Sequence, residues 1–324
     1  MDAQNVTPMM QQYLSAKQAH PGELLFFRLG DFYEMFFEDA KIAAKELGLT
    51  LTSRSGDLDK SPMCGVPYHA ADSYIARLVA KGFKVAIAEQ IGDPKAKGLT
   101  HREVVKVITP GTTLSDEVLR DASNIYIALL HESAPGKFVL AGADISTGEA
   151  FYAAYAGENA AQQIFDELYR RMTAELLMTG GFSLADDVRE FAAQRLPHCA
   201  ISSVEATADT ELLAQHFPAE EIPADGGAQT AIAALLRYLH DTVMADLSQI
   251  NRLAFLDAAG TMQLDTYTLR NLEITRSLRD GSKKNTLFDV LDFTRTPMGT
   301  RLLKSWLEHP LLTPHRIDAR MDAV

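Results

Sequence analysis

Phe32 and Glu34 are the first residues in this sequence whose types and spacing suggest chemistry. They lie in the aromatic stretch Phe26-Phe27-Arg28-Leu29-Gly30-Asp31-Phe32-Tyr33-Glu34-Met35-Phe36-Phe37. The apolar run Leu24 to Leu29 has strand length and stops at Gly30, a turn signal. Asp31 then reads as a helix N-cap, with Glu34 three residues on as its capping-box partner. Helical spacing puts Tyr33, Phe36, Phe37, Ala40, Ala44 and Leu47 on one core-facing stripe and leaves Phe32 outside it. Two roles remain open. An aromatic beside a carboxylate, off the core face, can reach into a partner; equally, Glu34 can close a capping box while Phe32 staples the helix to the strand.

Other reactive groups are scattered. Arg54 and Lys60 sit in one polar loop, and Lys95, Lys97, His101, Arg102 and Lys106 in and after another, where they either contact phosphates or form a solvated surface. Asp144, in Ala143-Asp144-Ile145-Ser146-Thr147-Gly148, has the surroundings of a metal-holding acid or of a turn cap. Two-metal hydrolysis needs several clustered carboxylates, and no second acid falls at a neighbouring strand end, which favours the cap. Cys64 and Cys199 are isolated, without metal-ligand spacing, and fit a reduced cytoplasmic setting.

Composition bounds the rest. The 324 residues are 47% hydrophobic and 23% charged, which suits a globular chain of two or three domains. No apolar run reaches membrane-spanning length, and the polar start has no signal-peptide core. The net charge of −12 argues against a nucleic-acid binder until its distribution is seen. Residues 1–120 hold 14 basic and 15 acidic side chains, residues 121–260 hold 7 and 20, and residues 261–324 hold 10 and 8. The acidity is all central, so any contact with a phosphate backbone belongs to the ends.

The elements that must position these groups follow in order. Thr7-Pro8 opens a helix to about Ala19. After the strand and helix already described come strands at Leu49–Ser53, Phe83–Ile91 and Val104–Ile108 and a helix from about Ala70 to Ala80, a mixed α/β unit of residues 1–115. Residues 116–124 read as a linker. Strands at 125–131, 137–145 and 149–155 form a meander, followed by alternating helices and strands and a closing helix at about 229–246. This is the element order of ribonuclease-H-like domains, here residues 125–258. From 262 the chain turns helical: Met262 to Leu278 throughout, Thr286 to Leu291, and Pro297 to Leu307 capped by Thr296. The last residues look like a further helix with no stop signal, as in a piece of something longer.

The strings Thr7-Pro8-Met9-Met10-Gln11-Gln12-Tyr13, Phe27-Arg28-Leu29-Gly30-Asp31-Phe32-Tyr33-Glu34, Pro67-Tyr68-His69-Ala70, Ala88-Glu89-Gln90-Ile91-Gly92-Asp93-Pro94, Thr109-Pro110-Gly111-Thr112, Leu269-Arg270-Asn271-Leu272-Glu273-Ile274 and Thr296-Pro297-Met298-Gly299 occur in this order. Together they resemble the N-terminal part of the MutS family of DNA mismatch-recognition proteins, with Leu29 standing where relatives often carry methionine. The middle, about 150–260, carries few signatures of its own.

The resemblance implies three domains: mismatch binding (1–115), a ribonuclease-H-like connector without nuclease chemistry (125–258), and the start of an all-α core or lever domain (262–324). It implies that Phe32 enters the minor groove of a mispair and stacks on a base, while Glu34 hydrogen-bonds the base in protonated form. Arg54, Lys95, Lys97, Arg102 and Lys106 would then position the duplex backbone. It also implies a MutL-like partner on the acidic connector, and ATP with Mg²⁺ and homodimerisation in the full-length family. No Gly-x-x-x-x-Gly-Lys-Ser/Thr string occurs in this chain, so it is expected to hydrolyse nothing; because the resemblance places the family's main dimer contacts in the ATPase domain, a monomer is expected too. The competing expectations are a metal-dependent nuclease centred on Asp144 and a module that only binds proteins.

Overall fold

The computed structural model describes residues 7–53, 61–91, 100–113, 124–244, 246–256 and 260–323. Arg54, Lys60, Lys95, Lys97 and most of the expected linker lie outside them. The described residues form two six-stranded mixed sheets and eleven α-helices. The chain divides into two compact units, residues 1–113 with 239–246, and residues 114–238 with 247–324.

In the first unit, helix α1 (Pro8–Ala19) begins as expected, the Thr7 hydroxyl accepting from the Met10 N–H at 3.4 Å. The sheet contains β1 (Leu24–Leu29), β2 (Phe32–Phe36), β3 (Thr52–Ser53), β4 (Pro62–Pro67), β5 (Val85–Ile91) and β6 (His101–Ile108), in the order β3-β4-β2-β1-β5-β6. Helices α2 (Phe37–Leu47) and α3 (Ala71–Val79) cover one face, over Phe26, Tyr33, Met35 and Val66. On the other face α1 packs Tyr13 against Leu25, Phe27, Phe36 and Ala86. Buried Asp39 joins the layers, accepting from the Leu25 N–H at 3.0 Å and pairing with Lys17 Nζ at 2.9 Å.

This arrangement corrects the reading of the aromatic stretch. Phe32 to Phe36 is not the first turn of a helix but the second strand of a hairpin, pairing Leu29 with Phe32 and Phe27 with Glu34. The connection is two residues, Gly30-Asp31, with Gly30 at φ 61°, a conformation that hairpin turns favour and glycine adopts freely. The five residues Phe-Tyr-Glu-Met-Phe are rich in strand-favouring aromatics, and only Phe37, at φ 54°, turns the chain into α2. Asp31 therefore caps no helix; its carbonyl accepts from the Tyr68 N–H at 2.9 Å.

The second unit holds β7 (Ile127–Ala134), β8 (Lys137–Asp144), β9 (Glu149–Ala156), β10 (Glu175–Thr179), β11 (Ala200–Val204) and β12 (Arg252–Phe255), in the order β11-β10-β7-β8-β9-β12. Strands β7 to β9 are antiparallel, and β10 and β11 run parallel to β7. Helices α4 (Ala160–Arg170) and α5 (Ala185–Arg195) close one face over Leu130, Leu140, Phe151 and Met178. Helix α6 (Thr210–His216) and strand β12 were not foreseen, being too short to show a period. Helix α7 (Gly226–Val243), which belongs to this unit as far as Tyr238, lies on the opposite face, Tyr238 donating to Glu175 Oε1 at 2.5 Å.

The stretch Met262–Leu278 is helical only over α8 (Thr266–Asn271), a second correction. Glu273 adopts φ 47°, and its carboxylate takes the Leu278 N–H at 2.5 Å, replacing the helix ladder by a side-chain bond. Helices α9 (Leu287–Leu291), α10 (Pro297–Glu308) and α11 (Pro314–Asp322) follow, α10 capped by the Thr296 hydroxyl on the Gly299 N–H at 3.1 Å.

Candidate nucleic-acid interface

Strand alternation gives Phe32 and Glu34 a closer relationship than helical spacing would. Two residues apart on β2, they project from the same face of the sheet, while Tyr33 and Met35 face the core under α2 and α3. Phe26, Phe27 and Phe36 are at most 3% exposed, whereas Phe32 is 47% exposed. Its ring stands in solvent at the start of β2, on the strand face that also carries Glu34.

The neighbours of this pair come from three strands. Phe32 and Glu34 face Pro67 and Gly65 across β4, and Leu29 and Phe27 across β1. A Cβ on Gly65 would crowd the Tyr33 carbonyl at 3.1 Å while touching Glu34 Cγ at an ordinary 3.5 Å, so glycine lets the β2 and β4 backbones approach here. From β6, Arg102 reaches the same face, its guanidinium 5.4 Å from the Phe27 ring centre and its Nε donating to the Arg28 carbonyl at 2.6 Å. Arg102 also donates to the Thr100 carbonyl at 2.9 Å, and burial pulls its pKa down.

Behind the hairpin a second layer fixes the turn. Arg28 packs its guanidinium 3.8 Å from the Tyr68 ring centre and 5.5 Å from that of Tyr33. The Tyr33 hydroxyl donates to Glu89 in a short hydrogen bond; burial first, then that carboxylate, pushes its pKa up to about 12. Arg28 and Tyr68 were not singled out from the sequence, because their meeting depends on strand pairing. The signal present was the period of two in Phe32-Tyr33-Glu34-Met35.

The other expected site residues separate. Lys106 is exposed on β6 but pairs with Ile87, whose side chain belongs to the opposite face of the sheet. Arg54, Lys95 and Lys97 lie outside the described residues. Asp144 is fully buried in the second unit, one oxygen accepting from the Ser146 N–H at 2.8 Å and hydroxyl at 2.7 Å, the other from Asn124 Nδ2 at 2.8 Å and the Ile125 N–H at 3.3 Å. Both oxygens thus organise the β8–β9 turn and the entry to β7. Among the described residues no three His, Cys, Asp or Glu side chains are grouped to hold a metal ion, and no helix is long and apolar enough to cross a membrane.

Comparison with known proteins places this surface in context. Residues 7–117 match the family model MutS domain I, and residues 267–324 match MutS domain III. Proteins named DNA mismatch repair protein MutS are similar over nearly the whole chain. That of Desulforamulus reducens is 43% identical over 98% of this chain and 38% of its own length. That of Pelotomaculum thermopropionicum is 43% identical over 97% and 37%, and that of Methanosarcina mazei 42% over 98% and 38%. The chain thus spans under two fifths of the length of these relatives. With both family models and this identity sustained from end to end, the chain belongs to the MutS family.

Proposed function

We propose that the first unit recognises mispaired or unpaired bases in duplex DNA, Phe32 entering the minor groove and stacking on one base while Glu34 hydrogen-bonds it. The observation that carries this reading is the exposure of Phe32 at 47% beside four buried aromatics, with Glu34 on the same strand face. A wedge of this kind unstacks a base step and kinks the duplex. Unstacking is cheaper at a mispair than at a paired step, so selectivity arises from DNA deformability rather than from base-edge coding. Arg102 serves the phosphate backbone in this reading; Lys106 is on the opposite face of the sheet, and Arg54, Lys95 and Lys97 keep the role that the family resemblance gives them.

In the same reading the second unit contains the ribonuclease-H-like connector, supported by its 3-2-1-4-5 order over β7 to β11, and its acidic residues suit a MutL-like protein partner. This stretch hydrolyses no nucleotide itself. ATP, Mg²⁺ and homodimerisation are taken as features of the full-length family. Asp144 serves the turn, and the nuclease reading is not retained.

The test is fluorescence anisotropy at low salt, where phosphate contacts are least screened. A labelled duplex with a G·T mispair or an unpaired T is compared with its paired control. Tighter binding to the flawed duplex, lost in Phe32→Ala, is expected. Equal mismatch-to-homoduplex ratios for the two proteins overturn the proposal.

A further inference from the structure

The second unit contains a cavity of about 240 Å³ in which arginines collect. Arg170 from the end of α4, Arg195 from the end of α5, Arg270 from α8 and Arg276 beyond it all line the cavity, with Glu308 of α10 as the carboxylate facing them. Arg270 and Arg276 are exposed and screened by solvent, Arg195 is half-buried and Arg170 is buried, so repulsion is least screened at Arg170, where a neutralising group or a ligand offsets it. Arg170 is neutralised by Glu167, and its Nη2 donates to the Leu264 carbonyl at 2.9 Å. Among the described residues Arg195, Arg270 and Arg276 form no ion pair; Arg195 lies against the Tyr267 ring, 5.4 Å from its centre.

A second observation is independent of this tally. Arg170 is only 7% exposed, yet its Nε has no hydrogen-bond partner. A buried guanidinium N–H without an acceptor costs free energy that an incoming oxygen recovers. Glu308, the one facing carboxylate, has Lys304 Nζ at 3.9 Å as a counter-charge, and burial raises its pKa, so its opposition to an anion is partly offset.

We infer that this cavity binds a phosphoryl group, held by guanidinium forks from Arg195, Arg270 and Arg276 over the buried Arg170. A phosphate dianion suits the excess of cations better than a carboxylate, and the forked donors match its oxygens two at a time. The volume admits one or two phosphoryl groups, supplied by a free phosphate compound or by the DNA backbone. This inference is independent of Phe32, which lies in the other unit.

The test is calorimetric titration of inorganic phosphate and pyrophosphate into the full chain, with acetate at matched ionic strength as control. Saturable binding of the phosphates, with acetate roughly tenfold weaker or more, is expected. Replacing two charge-assisted donors together, Arg195→Gln with Arg270→Gln, should weaken phosphate at least about tenfold. Arg195→Lys, which keeps the charge but not the fork, should fall between. Arg189→Gln, an exposed arginine of α5 paired with Asp186, should change nothing. Absence of saturable heat, an unaffected double variant, or an equal loss in Arg189→Gln overturns the inference. With the inference upheld, displacement of pyrophosphate by duplex DNA identifies the backbone as the source, and failure to displace it identifies a free phosphate compound.

Discussion

Arg28 and Tyr68 meet with the guanidinium carbon 3.8 Å from the ring centre, and both residues also grip the turn that precedes Phe32. Arg28 Nε donates to the Gly30 carbonyl at 2.5 Å, and the Tyr68 N–H donates to the Asp31 carbonyl at 2.9 Å. The exposed aromatic therefore stands on a braced hairpin. A cation–π contact of this kind is worth about 0.5–2 kcal/mol. Tyr68→Ala should loosen the turn and reduce the mismatch-to-homoduplex ratio several-fold, whereas Tyr68→Phe keeps the ring and the ratio. The salt dependence of binding should be the same for all three proteins, because no phosphate contact is removed. A uniform loss on both duplexes with a shallower salt slope would show that Arg28 or Tyr68 acts on the backbone instead.

Glu34→Gln addresses the second half of the site. An ionised carboxylate only accepts hydrogen bonds and is repelled by phosphates, while a glutamine amide donates without charge. The variant should bind paired duplex as well as or better than the parent protein and so discriminate less. Weaker binding to both duplexes, read by the same anisotropy titration, would leave Glu34 without a role at the base.

Legibility in the sequence followed the range of the interactions. Helix α1, strand β1 and the capped helix α10 were readable because each is specified by local signals: Thr7-Pro8, an apolar run ended by Gly30, and Thr296-Pro297. Phe32 and Glu34 could be picked out by residue type and spacing, but their geometry could not. Asp31 and Glu34 mimic a capping box, and only the pairing of β2 with both β1 and β4 decides for a strand. That decision comes from tertiary contacts, which override local preference. Met262–Leu278 failed similarly, since one left-handed residue, Glu273, and its side-chain bond to Leu278 undo a favourable helical pattern.

Asp144 is expected to matter for stability and not for DNA. Its two oxygens accept four hydrogen bonds around the β8–β9 turn and the entry to β7. Asp144→Ala leaves four half-buried donors without this acceptor and should cost the second unit roughly 1–3 kcal/mol. Urea unfolding should show this loss while the Phe32-dependent preference for a mispair is retained. A stable Asp144→Ala protein would refute the turn role.

Gly148 closes the same turn with no room for a side chain. Its φ is 75°, and a Cβ there would sit 2.3 Å from the Gln249 backbone carbonyl oxygen. Backbone strain and a clash with immobile main chain combine, so Gly148→Ala should destabilise the second unit by about 2 kcal/mol or more. By contrast Gly157→Ala has a similar φ of 87° but nothing within 4 Å, and should cost only about 1 kcal/mol. Equal losses at the two positions in denaturant melts would mean that the Gln249 contact relaxes freely.

His309 gives the second unit a pH dependence of definite sign. The ring Nδ1 donates to the Ser305 carbonyl at 3.1 Å, and Nε2 lies 4.0 Å from Glu167 Oε1 without a hydrogen bond. Burial, aided by the charges of Arg171 and Arg170, lowers its pKa from 6.5 to about 4, against the pull of Glu167 and the Ser305 carbonyl. The unfolded chain therefore binds this proton first. The stability associated with neutral His309 is complete above about pH 6.5, falls as the pH drops towards about 4, and is constant below that. At roughly 1.4 kcal/mol per pH unit the full change is on the order of 3 kcal/mol. Urea unfolding from pH 7.5 to 4.5, compared between the parent protein and His309→Gln, isolates this contribution, because the carboxylates common to both cancel in the difference. The two curves should converge as the pH falls. Parallel curves would mean that the folded protein protonates His309 as readily as the unfolded chain does, with the imidazolium turning to Glu167.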